Sequence, residues 1–249
     1  MNERFPLVTA HTGCAGMREH SFASLHAALK LGADVYEDDI RVTRDGRLVL
    51  FHDDEVLLRN GQNGSVAGMS LTELTEALPE PPTLLEDALR LVIGAGKTMN
   101  LDIKTPDSLE PVFALIDRMI AADRVFLSGC EYPVAAEADR FGRHVRKLLN
   151  VNIDSFRSVS YEEATALACR ESLAAGCFGL NVPYQLVRPE LLIAAERNRL
   201  AVYVWTVSEK TDMNRMADMG VTSITTRDVA ALMTVKAAWN LRRRGCIEQ

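Results

Sequence analysis

Glu37-Asp38-Asp39-Ile40-Arg41-Val42-Thr43-Arg44-Asp45-Gly46-Arg47-Leu48-Val49-Leu50-Phe51-His52-Asp53 is the stretch whose reading decides the fold. Side chains alternate along a strand, so Glu37 and Asp39 share one face and Asp38 takes the other. Asp45-Gly46 between two β-rich runs is a hairpin signal. A turn centred there predicts antiparallel pairing that returns His52 beside Asp39. Two acids and an imidazole are thus expected to meet through local geometry alone.

Upstream, Leu7-Val8-Thr9-Ala10-His11 reads as a strand that delivers His11 to a loop at Gly13. A helix is predicted over 21–31, capped by Ser21 and stopped by Gly32. His20 and His26 are read as surface or packing residues of this helix. Downstream, 53–82 holds Asn60-Gly61, Asn63-Gly64 and the Pro79/Pro81/Pro82 cluster around a short amphipathic piece, and reads as an insertion over a barrel mouth. A helix is predicted over 83–95 with Thr83 as its cap and Glu86 completing a capping box. Met99 to Lys104 reads as a strand presenting Asp102 and Lys104 on one face. From there helices at 108–121, 132–141, 161–175, 189–198, 211–219 and 228–241 alternate with strands at 125–129, 145–151, 177–181, 201–206 and 221–225. Leaving out the hairpin's return strand, this is a succession of strand–helix units that predicts a parallel sheet closed into a (β/α)8 TIM barrel, with a small insertion of about 41–82 after the second strand. An open doubly wound sheet is the alternative, but no GxGxxG turn supports it.

The chain has 249 residues, close to the length of one such barrel, and 1–249 is expected to form a single domain. Net charge is −6 with no basic block, which argues against nucleic acid as a partner. The opening Met1-Asn2-Glu3-Arg4-Phe5-Pro6 lacks the apolar core of a signal peptide, and no apolar run of membrane-spanning length occurs. The reading is cytoplasmic, without stable membrane insertion. Five scattered cysteines, Cys14, Cys130, Cys169, Cys177 and Cys246, form no CxxC pair and read as thiols. A homo-oligomer is compatible with the outer helix faces of a barrel.

Chemistry in such barrels sits at the C-terminal ends of strands. There the predicted topology gathers His11, Glu37, Asp39, Asp102, Lys104, Asn181, Trp205 and Thr206. Glu37, Asp39 and Asp102 supply the hard oxygen ligands that Mg2+ or Ca2+ requires. His11 and His52 suit proton transfer, and Lys104 adds fixed positive charge. Together these groups suit attack on a phosphodiester. Trp205 reads equally as barrel core or as a platform for a ligand.

The same residues resemble the glycerophosphodiester phosphodiesterase family, a phosphatidylinositol-phosphodiesterase-like barrel. His11-Thr12-Gly13 is similar to its opening His-Arg-Gly, Glu19-His20-Ser21 to its Glu-Asn-Thr, and Glu37-Asp38-Asp39 to its Glu-Leu-Asp. Thr43-Arg44-Asp45-Gly46 with His52-Asp53 resembles its hairpin and His-Asp pair, Asp102-Ile103-Lys104 its Glu-Ile-Lys, and Val204-Trp205-Thr206-Val207 and 220–225 its last two strands. The resemblance covers nearly the whole chain. It implies a metal-dependent hydrolase that releases sn-glycerol 3-phosphate and an alcohol from a small phosphodiester. His11 and His52 would be acid and base, Glu37, Asp39 and Asp102 metal ligands, and Lys104 a phosphate ligand beside Trp205. Thr12 departs from the family by standing at its phosphate-binding arginine, with Arg18 or Arg59 as candidate replacements. Asp102 shortens a glutamate, and His20-Ser21 replaces Asn-Thr. Alternative readings are a phosphodiesterase for another head group, either a sugar phosphodiester or a sphingomyelinase D-like phospholipid, and a non-catalytic metal-binding barrel.

Overall fold

The computed structural model describes residues 4–245, so Cys246 and the opening Met1-Asn2-Glu3 lie outside the described residues. The first part of the chain runs β1 (Leu7–His11), α1 (Phe22–Lys30), β2 (Val35–Val42), β3 (Leu48–Leu50), β4 (Glu55–Leu57), β5 (Asn63–Ser65), α2 (Leu71–Ala77), α3 (Leu85–Gly94) and β6 (Thr98–Ile103). The remainder runs α4 (Leu109–Met119), β7 (Val125–Ser128), α5 (Tyr132–Ala138), β8 (Arg146–Asn150), α6 (Ser155–Ser158), α7 (Tyr161–Ala174), β9 (Gly179–Pro183), α8 (Pro189–Arg197), β10 (Ala201–Trp205), α9 (Lys210–Met219), β11 (Ser223–Thr226) and α10 (Val229–Gly245). Eight of these strands are parallel neighbours in the order β1-β11-β10-β9-β8-β7-β6-β2, and pairing of β2 with β1 closes the ring. The fold is a (β/α)8 TIM barrel, as the alternation predicts.

The helices form where caps and apolar stripes coincide. Ser21 accepts a bond from Ser24 N at the start of α1, and Ser160 with Glu163 forms a capping box on α7. In α4, Val112, Phe113, Leu115 and Ile116 line the face that packs on the strands. Burial of each such side chain contributes about 1.5–3 kcal/mol. Inside the ring the strands change character along their length. Val35, Phe126, Leu148 and Tyr203 form a buried apolar plug toward the N-terminal end, with Phe178 and Ala201 packed against it. Two residues further along, β2, β7 and β8 present the polar Glu37, Ser128 and Asn150 and β10 presents Trp205, all four lining one cavity. The barrel is therefore filled below and open above, which puts the polar groups at one mouth.

Two sequence expectations are corrected here. β3 pairs with β2 as Ile40↔Leu50 and Val42↔Leu48, and Phe51 N donates to Asp39 O at 3.1 Å. Phe51, rather than His52, lies opposite Asp39. The cause is the turn, which has three loop residues instead of two. Thr43 N donates to Arg47 O at 2.9 Å, and Gly46 takes the left-handed conformation at φ 75 that this geometry needs. Thr83 is not the cap of α3. Leu84 occupies that position without a side-chain bond, and the Thr83 hydroxyl instead donates to His20 O at 2.7 Å.

The segment after β2 holds more order than its turn signals indicate. β4 and β5 pair antiparallel, and Asp54 ties the hairpin by accepting from the Ser65 hydroxyl and Ala67 N. Val49, Val56, Val66, Leu74 and Leu78 give it a small hydrophobic cluster of its own.

Candidate active site

A cavity of about 420 Å³ opens at the C-terminal ends of the barrel strands, and His11, Glu37, Asp39, His52, Asp102, Lys104 and Trp205 all line it. Strand register builds its acidic wall. His11 is the partner of Glu37 across β1 and β2, and Asp39 is the partner of Asp102 across β2 and β6. Lys104, just past β6, places its ammonium 2.8 Å from a carboxylate oxygen of Asp39 and 2.8 Å from one of Asp102. Both acids hold the Lys104 charge in place and raise its pKa against the effect of burial.

Glu37 is the unusual member. It is buried and its Oε2 has no hydrogen-bond partner. Burial, followed by the negative charges of Asp39, Asp102 and Asp38, pushes its carboxyl well above the usual carboxylate range. Asp102 is also raised, by burial and by Asp39, although Lys104 opposes the shift and the Ser128 hydroxyl donates to its second oxygen at 2.9 Å. Glu37 Oε2, without a hydrogen bond and 3.7 Å from His11 Nδ1, stands beside two further carboxylates, a donor set that fits an oxygen-seeking cation. Among the described residues, the trio whose ligand atoms all lie within 4.8 Å of one another is instead His20, Asp38 and Asp39. The Lys104 ammonium stands between two carboxylates of the predicted set.

The two histidines sit differently. His11 is largely buried, and its Nδ1 is 2.8 Å from the Thr12 carbonyl. A carbonyl only accepts, so Nδ1 carries the proton and Nε2 is left with the lone pair. Burial pulls the His11 pKa below the ordinary imidazole value, with the Arg227 charge acting in the same direction and the Thr12 bond against it. His52 has a 60% exposed side chain, and its Nδ1 pairs with Asp53 at 2.8 Å. It lines the cavity from the segment that follows β3.

Thr12 is buried and faces away from solvent, its hydroxyl accepting from His20 N at 2.7 Å. Arg18 pairs with Glu80, and Arg59 donates to the Leu78 carbonyl; neither lines the cavity. Trp205 does line it, with a buried Nε1 that has no protein partner.

Two groups escape the sequence reading. His20 precedes α1 in a left-handed conformation at φ 55, with Nδ1 2.6 Å from Asp38 Oδ1 and Nε2 3.8 Å from Asp39 Oδ2. Asp38 also accepts from the Tyr36 hydroxyl at 2.9 Å, so His20 belongs to a network behind the acidic wall. Arg227, just past β11, is the second cation of the cavity lining. Only the Glu19-His20-Ser21 motif hinted at the first, and no local signal marked the second.

The model of the glycerophosphoryl diester phosphodiesterase family matches residues 4–231. The chain belongs to that family. A glycerophosphodiester phosphodiesterase of Caldanaerobacter subterraneus subsp. tengcongensis is 27% identical, covering 96% of this chain and 98% of the relative. Two solved structures share the fold. The glycerophosphodiester phosphodiesterase of Parabacteroides distasonis has a TM-score of 0.78 at 21% identity, covering 96% of this chain and 100% of the other. An Oleispira antarctica phosphodiesterase in complex with the product sn-glycerol-3-phosphate has a TM-score of 0.78 at 19% identity, covering 93% and 96%. As a member of the glycerophosphoryl diester phosphodiesterase family, the chain is a phosphoric diester hydrolase. The cavity described above lies where barrel enzymes carry their chemistry.

Proposed function

We propose that this chain hydrolyses glycerophosphodiesters to sn-glycerol 3-phosphate and an alcohol, with a divalent cation, Mg2+ or Ca2+, held by Glu37, Asp39 and Asp102. The observation that carries the proposal is the buried Glu37 carboxylate, whose Oε2 has no hydrogen-bond partner and lies 3.7 Å from His11 Nδ1, beside Asp39 and Asp102. Three largely buried carboxylates at one mouth are costly in a protein unless positive charge joins them, and the Lys104 ammonium bonds only Asp39 and Asp102. Bound there, a divalent cation supplies charge stabilisation to the non-bridging phosphoryl oxygens.

The protein's own groups do the rest. Lys104 presents fixed positive charge at the same wall, 2.8 Å from a carboxylate oxygen of Asp39 and 2.8 Å from one of Asp102. His11 is the base: its lowered pKa keeps it neutral near pH 7, and its Nδ1 bond leaves Nε2 to take the proton from the attacking oxygen. As the bond between phosphorus and the alcohol oxygen breaks, His52 gives its proton to that oxygen, with Asp53 orienting the ring through Nδ1. Trp205 contributes an apolar face to the cavity that takes the ester.

The described cysteines are free and buried, which fits a reducing compartment, and we place the enzyme in the cytoplasm. Among the described residues no helix is long and apolar enough to cross a membrane.

A substrate panel tests the reading. Glycerophosphocholine, glycerophosphoethanolamine, a sugar phosphodiester and sphingomyelin would be assayed side by side for the released phosphomonoester. Release of sn-glycerol 3-phosphate from the first pair supports the proposal. Turnover confined to the sugar diester or to sphingomyelin overturns it.

A further inference from the structure

The charge at the cavity mouth is out of balance for an anionic substrate. Glu37, Asp39 and Asp102 face a single lysine, and both Asp39 and Asp102 already hold that ammonium. A phosphodiester approaching this wall gains from a further cation at the mouth that no carboxylate of the wall already holds. Arg227 stands there, at the end of β11 beside the β1 loop.

Its guanidinium is held but not exhausted. Nε donates to the Thr12 carbonyl at 3.3 Å and Nη2 to Glu19 Oε1 at 2.6 Å, while Nη1 has no protein acceptor among the described residues. The backbone is tied as well, because Ala15 N donates to Arg227 O at 3.1 Å. Gly13 makes the close approach feasible: at φ +80, a Cβ there would stand 2.8 Å from Glu19 Cγ and 3.5 Å from Arg227 Nε. The loop is thus wrapped around the arginine and fixes its fork before any ligand arrives. Glu19 is about half exposed, so its carboxylate can move into water and leave Nη2 for a phosphoryl oxygen. The charge also reaches His11, whose pKa it helps to depress.

We infer that Arg227 binds the phosphoryl group of the substrate through Nη1 and Nη2, with Glu19 as the internal acceptor that this group displaces. The inference rests on the proposed phosphodiester reaction. A planar fork whose Nη1 has no protein acceptor among the described residues, and whose Nη2 is released when Glu19 turns away, matches two phosphoryl oxygens, which a lysine at the same place does not.

The test uses the full chain with R227Q, R227K and E19Q, read by calorimetric Kd for sn-glycerol 3-phosphate and by KM and kcat on glycerophosphocholine. R227Q is expected to weaken Kd and raise KM by roughly 10- to 100-fold, with R227K recovering part of the loss. E19Q is expected to leave Kd unchanged or tighten it, because it removes the competing acceptor and keeps the cation. If Arg227 merely latches the loop, E19Q weakens Kd as much as R227Q, and the inference fails. An unchanged Kd in R227K, or no binding of sn-glycerol 3-phosphate by the parent chain, also overturns it. A parent that binds sn-glycerol 3-phosphate but hydrolyses no glycerophosphodiester refutes the proposed reaction alone; the Kd comparison still decides Arg227.

Discussion

Asp39 and Asp102 are register partners on adjacent strands, and each places a carboxylate oxygen 2.8 Å from the same Lys104 ammonium. The lysine is the internal counter-charge of the acidic wall. In Lys104→Gln that counter-charge disappears while Glu37, Asp39 and Asp102 stay buried together. The metal-free variant is expected to lose roughly 3 kcal/mol of stability, since breaking a buried ion pair leaves uncompensated charge. Saturating Mg2+ or Ca2+ is expected to restore a large share of it by binding the folded state only. Urea unfolding with and without metal measures both, and a metal-insensitive deficit contradicts the proposed cation site.

Replacing either His11 or His52 with alanine is expected to lower kcat by roughly 10²- to 10⁴-fold while the thermal unfolding midpoint stays close to that of the parent. For His11 the pH profile adds a sign. Burial holds its pKa below the ordinary imidazole value, so the acid limb of kcat/KM is expected below about pH 6.5. An acid limb above that value contradicts His11 as the base.

Gly129 follows β7 at φ +73, and a Cβ there would meet Asp102 Oδ1 at 2.5 Å and Ile103 O at 2.5 Å. Gly129→Ala must therefore displace the Asp102 carboxylate or the β6 backbone. It is expected to destabilise the fold by about 1–3 kcal/mol and to weaken divalent-cation affinity at the same time. Calorimetric metal titration reads the second effect, and unchanged affinity removes Asp102 from the ligand set.

Much of the architecture was legible because it rests on local patterns. Strand and helix periods alternate from Leu7 onward, caps such as Ser21 and Ser160 are visible in sequence, and alternation separates Glu37 and Asp39 from Asp38. The errors come from features that sequence does not carry locally. A hairpin loop of three residues instead of two shifted Phe51 opposite Asp39 and left His52 beyond the pairing. Thr83 had the chemistry of a cap, but its hydroxyl serves a carbonyl 63 residues away. His20 looked like part of a helix surface, and its backbone is instead fixed by Thr12 and Thr83 so that its ring reaches Asp38. Arg227 meets the β1 loop only because β11 pairs with β1, which no local pattern marks.

Away from the mouth, the almost fully buried Lys147 ammonium bonds to Asp139. Burial raises the Asp139 carboxyl, but Lys147 and Arg143 more than offset it, so its pKa lies below the usual aspartate value. A depressed carboxylate stabilises the fold above its unfolded pKa of about 3.9 and loses that contribution as pH falls through the folded value. Asp139→Asn is expected to cost toward the lower end of roughly 3–5 kcal/mol at pH 7, with the gap from the parent closing below about pH 4. Urea unfolding across that range checks both the cost and its sign.

The most direct measurement is release of sn-glycerol 3-phosphate from glycerophosphocholine by EDTA-treated protein, before and after Mg2+, Ca2+ or Mn2+ is returned. Silence in EDTA and turnover restored by one of these cations, with the restoration lost in Asp39→Asn, is the expected result. Full turnover in EDTA, or no release of sn-glycerol 3-phosphate with any cation while metal is bound, would contradict the metal-dependent glycerophosphodiesterase proposed here.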